Sequence, residues 1–197
     1  MILQEKLVNI PIILGSKSPR RKDLLREMDL TFEVIIKETD ESFDPNLTAE
    51  EIVLHIAQTK LNAFDDVYFR QNLLICADTI VVDPRGKVIG KPVDKNQAKI
   101  VLQALSGQEH EVLTAVAFSY LHHKVAFVEK TRVWFNPLTD QEIDYYIDRY
   151  QPMDKAGSYG IQEWIGRIGI GTINGSYENV IGLPTARLYK ELKNIFL

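Results

Sequence analysis

The sequence predicts an α/β fold built on a mixed sheet, and three observations carry that reading. Short apolar runs alternate with helix-patterned segments through the first half of the 197-residue chain. Two long β-patterned runs, 111–121 and 125–135, occupy the middle, and an amphipathic helical stripe closes the chain. Alternating strands and helices call for crossovers and parallel pairing, whereas two long runs joined by a short turn pair antiparallel. A plain doubly wound sheet has no place for the second feature.

Residues 11–14 read as a short buried strand. Ser18 is a suitable N-cap and Pro19 suits the first helical position, so a helix opens there with Leu24, Leu25 and Met28 as its buried stripe. Residues 32–36 form a further strand, followed by an acidic stretch that contains Glu41. Thr48-Ala49-Glu50-Glu51 is a capping box, and the helix after it buries Val53, Ile56, Ala57, Leu61 and Phe64. Residues 73–77 are a fully buried strand, interrupted at Asp78-Thr79 and resumed at 80–82. A turn at 83–86 leads to a hairpin strand at 87–90. Asp94 caps a third helix that ends at Ser106-Gly107, and His122-His123-Lys124 turn between the two long runs. Thr139 to Glu142 is another capping box, with a helix at 143–150. The Gly-rich stretch 157–182 carries Tyr, Trp and Ile and reads as packed. Pro184 opens the last helix, whose stripe is Leu188, Leu192, Ile195 and Phe196.

Composition excludes several classes. Hydrophobic residues at 45% and charged residues at 25% are those of a globular domain rather than a disordered chain. A net charge of −4 lacks the basic field of a duplex-binding protein. The single cysteine, Cys76, lies in an apolar run and reads as a small buried hydrophobe; a disulfide scaffold is excluded. No apolar stretch approaches the roughly 20 residues of a membrane helix, and residues 1–10 lack the apolar core of a signal peptide. The expected setting is cytoplasmic, away from membranes.

Several residues are candidates for chemistry. Gly15 to Lys22 runs from a strand through a polar turn into a helix N-terminus that carries Arg20 and Arg21. Cations are disfavoured in a first helical turn, and a bound phosphate would resolve the conflict; a solvated basic turn is the other reading. It is not a Walker loop. Asp78 follows a buried strand, a frequent catalytic placement in α/β folds and also a common turn position. Glu41 alone reads as a solvated charge, but with Asp78 it would make a site for Mg²⁺. Lys60 borders the buried face of its helix, as a snorkelling lysine would, and Lys91 reads as a surface charge or a phosphate ligand. The four histidines show no metal spacing, and no Gly-x-Ser-x-Gly elbow is present. Gln162 closes a Gly-containing loop from Asp154; its amide matches the O4 and N3–H edge of uracil or thymine, although the loop also reads as simple packing.

Taken together, Ser16-Lys17-Ser18-Pro19-Arg20-Arg21, Ala77-Asp78-Thr79, Gly90-Lys91-Pro92, Leu105-Ser106-Gly107, Asp154-Lys155-Ala156-Gly157 through Gln162, and Val180-Ile181-Gly182-Leu183-Pro184 resemble, in order, the motifs of Maf-like proteins. The first motif begins with Gly15, where Ala is commoner. The resemblance implies one domain over residues 1–197. Its fold would be an elongated two-lobed mixed sheet with flanking helices and a central cleft, similar to inosine triphosphate pyrophosphatases. It implies a nucleoside triphosphate pyrophosphatase. Tyr159 to Gln162 resembles the branch acting on dTTP and UTP, and modified uridine triphosphates share the same edge. By this resemblance Asp78 is the proton acceptor, and Arg20, Thr79 and Gln162 set substrate choice. Ser16, Arg20, Arg21, Lys60 and Lys91 grip phosphate, and Asp78 with Glu41 holds Mg²⁺ or Mn²⁺. A homodimer fits the family. The alternative is a non-catalytic nucleotide-binding regulator of growth or cell division.

Overall fold

Several helix starts in this chain are fixed by their capping side chains. The computed structural model describes residues 2–197. A short helix, α1 (Leu3–Leu7), buries Leu3 and Leu7; five residues are too few to show a periodicity in the sequence. Ser18 accepts from the Arg21 amide to open α2 (Pro19–Glu27). Thr48 and Glu51 exchange reciprocal bonds at the start of α3 (Ala49–Asn62), and its predicted stripe is buried through Phe64. Asp94 accepts from the Gln97 amide at 2.8 Å to open α4 (Lys95–Leu105). Thr139 and Glu142 repeat the capping box for α5 (Asp140–Tyr150). Each bond satisfies an amide that the helix itself leaves unpaired.

The strands are β1 (Ile12–Leu14), β2 (Glu33–Val34), β3 (Leu73–Val82), β4 (Val88–Ile89), β5 (Glu109–Tyr120), β6 (His123–Phe135) and β7 (Ile170–Asn174). They form one seven-stranded sheet in the order β2-β1-β3-β5-β6-β7, with β4 on β3. β1 is parallel to both β2 and β3, while β4 and β7 pair antiparallel with β3 and β6. The mixed sheet expected from the sequence is therefore present.

Several expectations are corrected. The 32–36 strand shrinks to two exposed residues, because β1, its neighbour, offers only three. Asp78 and Thr79 do not interrupt a strand; β3 runs through them unbroken. The turn between the long strands is Leu121-His122, with Leu121 in the left-handed region at φ 54°, so His123 already belongs to β6. The Gly-rich stretch is packed and contains α6 (Trp164–Gly169), β7 and α7 (Tyr177–Ile181). The last helix, α8 (Thr185–Phe196), follows Pro184 and buries Leu188 and Leu192.

Two compact units can be distinguished. The first comprises Met1–Asp78, Thr114–Glu129 and Gly182–Leu197, and within it α1 packs on α8. The second comprises Thr79–Leu113 and Lys130–Ile181. Its core gathers Val81, Leu102, Phe135, Ile143, Tyr146 and Ile165, with α4 against α5.

Candidate functional site

In the first unit β1 and β3 run parallel in the register Leu14 to Ile75. β1 stops there and turns at Gly15 to Ser18 into α2, while β3 continues to Asp78. The carboxyl ends of parallel strands are where α/β folds place ligands. The turn lies against β3: the Gly15 amide donates to Ile75 O at 2.9 Å. A Cβ on Gly15 would lie 2.5 Å from Cys76 Sγ and 3.1 Å from Phe64 Cε2. Glycine at this position thus matches the sulfur beneath it. Burial pushes the Cys76 thiol up to about 12, so it is a packing group, as its sequence context suggested.

Ser16 and Arg21 are buried together at this turn. Arg21 Nη1 donates to Ser16 Oγ at 3.1 Å, and Nε donates to Gly182 O at 2.8 Å. Burial lowers the Arg21 pKa, and nearby Asp78 opposes that shift. Half-buried Arg20 adds a second positive charge close enough to repel Arg21. A cation pair in a first helical turn, with a capped N-terminus beside it, is suited to an anion.

Asp78 meets its partners at the middle of β3. Lys60, in the last turn of α3, places Nζ 2.7 Å from Asp78 Oδ1 and 3.0 Å from Glu41 Oε1. The Lys60 and Asp78 side chains are only 16% and 14% exposed, whereas Glu41 reaches in from the exposed loop before α3 at 49%. Lys60 is therefore more than a snorkelling lysine: two carboxylates converge on its ammonium. Among the described residues there is no group of three or more His, Cys, Asp or Glu that would hold a metal alone. Mg²⁺ is commonly held by one or two carboxylates, with waters and substrate phosphates completing its shell. The pair Asp78 and Glu41, already focused on one cation, fits that requirement.

The second unit carries the other sequence-derived candidates. Thr79 is half-buried on β3. Lys91 is exposed just after β4, where Gly90 O accepts from the Gly157 amide at 3.4 Å. Gly157 has φ +71°, and a Cβ there would strike Val81 Cγ2 at 2.8 Å, so the 155–162 loop lies tight on β3. Tyr159 is buried, its hydroxyl 2.7 Å from His110 Nε2. Gln162 is half-buried, and its Oε1 is buried without a hydrogen-bond partner among the described residues. A network around this loop had no signature in the sequence. Tyr146 on α5 donates a short hydrogen bond to Glu163 Oε2 and accepts from the Gly160 amide at 2.9 Å. Buried Lys155 lies 3.3 Å from Glu163 Oε1. Lys155 and Gly160 fall within a recognised motif, whereas Glu163 lies just past it and Tyr146 comes from α5.

These features define an α/β protein whose first unit gathers an anion-suited turn and a carboxylate pair on one cation. By sequence, the chain belongs to the family of Maf-like proteins, whose sequence model matches residues 11–195. It is 46% identical over 193 residues to a dTTP/UTP pyrophosphatase of Flavobacterium psychrophilum, covering 98% of each chain. It is 47% identical over 191 residues to a dTTP/UTP pyrophosphatase of Parabacteroides distasonis, covering 96% of this chain and 98% of that one. Among solved structures, the Ham1 protein of Staphylococcus aureus is similar at 13% identity with a TM-score of 0.49, over 92% of this chain and 99% of that chain. No helix among the described residues is long and apolar enough to cross a membrane.

Proposed function

We propose that the protein hydrolyses dTTP and UTP, and modified uridine triphosphates with the same base edge, to the nucleoside monophosphate and pyrophosphate. The observation that carries this reading is the convergence of Asp78 and Glu41 on Lys60 Nζ, in the same unit as the Ser16–Arg21 turn. Relatives that share nearly half of the sequence and bear that activity in their names support it.

The reaction adds water oxygen to the α-phosphorus and breaks its bond to the bridging oxygen, so that pyrophosphate leaves. Asp78 accepts the proton of the attacking water. Asp78 and Glu41 would hold Mg²⁺ or Mn²⁺, which would supply neutralisation of the triphosphate charge. Ser16, Arg20, Arg21, Lys60 and Lys91 grip the phosphates and offset the charge that develops on the leaving group. Gln162 reads the pyrimidine: its amide oxygen accepts from N3–H of thymine or uracil, while its amide nitrogen donates to O4. Cytosine offers an acceptor at N3 and an amino group at C4, so the same amide orientation rejects it. Arg20 and Thr79 complete substrate choice.

A substrate panel tests the reading. With Mg²⁺, dTTP and UTP should yield monophosphate and pyrophosphate while CTP and purine triphosphates are spared, as resolved by ion-exchange chromatography. Asp78→Asn should lower kcat by about 10²–10⁴-fold. Orthophosphate and a diphosphate as products, or near-normal turnover by Asp78→Asn, would sink the mechanism. Tight dTTP binding without turnover would favour the regulator.

A further inference from the structure

Glu163 follows Gln162 and is the N-cap of α6, yet its carboxylate makes no capping bond to that helix. Instead it turns back. Oε2 accepts from the Tyr146 hydroxyl, and Oε1 faces Lys155 Nζ at 3.3 Å. The Tyr146 hydroxyl also accepts from the Gly160 amide at 2.9 Å, and the Glu163 amide donates to Gly160 O at 3.0 Å. The segment Gly160 to Glu163 is therefore pinned at both ends to one phenol, with Gln162 inside it.

The surroundings reinforce the clamp. A Cβ on Gly160 would lie 2.8 Å from Glu163 Cδ, so glycine leaves the space that the carboxylate fills. A Cβ on Gly166 would collide with the Ile161 carbonyl, which ties the first helical turn to the same segment. Tyr146 is fully buried. Burial first, and then its bond to Glu163, push the phenol above its ordinary range, so it keeps the proton that it donates. Placing an ion pair and a phenol here carries a desolvation cost that apolar packing would avoid. Among the described residues, Gln162 Oε1 within this segment is buried without a hydrogen-bond partner.

We propose that Glu163 and Tyr146 are positioning residues: by pinning the Gly160–Glu163 segment they place the Gln162 side chain for the selection of thymine and uracil over cytosine. This rests on the reading of Gln162 as the base-contacting group. Selection between base edges requires the reading side chain to be presented at a fixed distance and angle, which a pinned segment supplies. Lys155 neutralises the Glu163 carboxylate that remains after Tyr146 is satisfied, and Asp154 in turn faces Lys155 at 2.8 Å.

The test compares kcat and KM for dTTP and dCTP in Gln162→Ala, Tyr146→Phe and Glu163→Gln, with a thermal melt of each. Gln162→Ala should erase most of the preference for dTTP. Tyr146→Phe should lower the dTTP-to-dCTP ratio of kcat/KM by about 10–100-fold, mainly through dTTP KM. Glu163→Gln keeps an acceptor for the phenol and should show a smaller loss. If Gln162→Ala keeps full discrimination, the base reading itself fails and the clamp with it. If Gln162→Ala loses discrimination while both clamp variants keep it, the positioning role alone is overturned. An equal loss of kcat/KM on both nucleotides would likewise overturn it, since a purely structural role would give that result. Should Tyr146→Phe not fold, the ratio measured in Glu163→Gln decides.

Discussion

Arg21 shows how one side chain can be held structurally while it stays charged. Its guanidinium sends Nε to a carbonyl at residue 182 and Nη1 to Ser16, two directions fixed by a planar fork. A lysine there would carry the charge but not both bonds, and it would leave a buried carbonyl or hydroxyl without its donor. Arg21→Lys should therefore cost about 1–3 kcal/mol of stability in addition to any effect on phosphate binding. Urea titration should show a lower midpoint with an unchanged slope. An unshifted midpoint would mean that the fork is dispensable. At Asp78 the charge is met from another element: Lys60 Nζ lies 2.7 Å from Oδ1, and both side chains are largely buried.

At the scale of elements, the legible parts are those whose signal is local. Thr48, Asp94 and Thr139 announce their helices because a cap and its target lie within three residues, and the structure has each bond. The polar pair Asp78-Thr79 misleads for the same reason: locally it reads as a break, yet β3 continues because Ile80 to Val82 are buried beyond it. β7 is hidden among glycines, since its pairing with β6 is tertiary information. Of the candidate site, the carboxylates and cations are readable as types, whereas the Tyr146–Glu163–Lys155 clamp spans elements that no short motif connects. The contact between the β1 turn and β3 gives an element-level prediction. Gly15→Ala should destabilise by about 1–3 kcal/mol, because Cys76 Sγ on a fully buried strand position has little room to yield. Cys76→Ala in the same chain should recover much of that loss. Melts of the two single variants and the double variant measure the coupling; purely additive losses would show that the two elements do not press on each other there.

For the whole molecule, the dependence of stability on pH turns on one buried imidazole. His110 is 1% exposed, stacks on Phe135 at 5.6 Å between ring centres, and faces the Tyr159 hydroxyl with Nε2, while Nδ1 has no partner among the described residues. Burial drives its pKa from 6.5 down to about 4 in the folded protein. The unfolded chain therefore takes up a proton at a pH where the folded chain does not. Above about pH 6.5 the histidine is neutral in both states and its contribution is fully present. As pH falls from there, stability drops by about 1.4 kcal/mol per pH unit until the folded value is reached. Other groups act lower. Glu51 and Glu142 are held below their usual 4.5 by hydrogen bonds from Thr48 and Thr139, so their stabilisation begins to fade only near that value. Comparison with a variant that lacks the imidazole separates His110 from these carboxylates, whose contribution is already fading at pH 4.5. Urea unfolding of the wild type and of His110→Gln at pH 7 and pH 4.5 checks this. The wild type should lose about 2–3 kcal/mol more than the variant between the two conditions. Parallel losses in the two proteins would mean that the imidazole is already protonated in the folded state, and that the core around Phe135 and Tyr159 admits the charge.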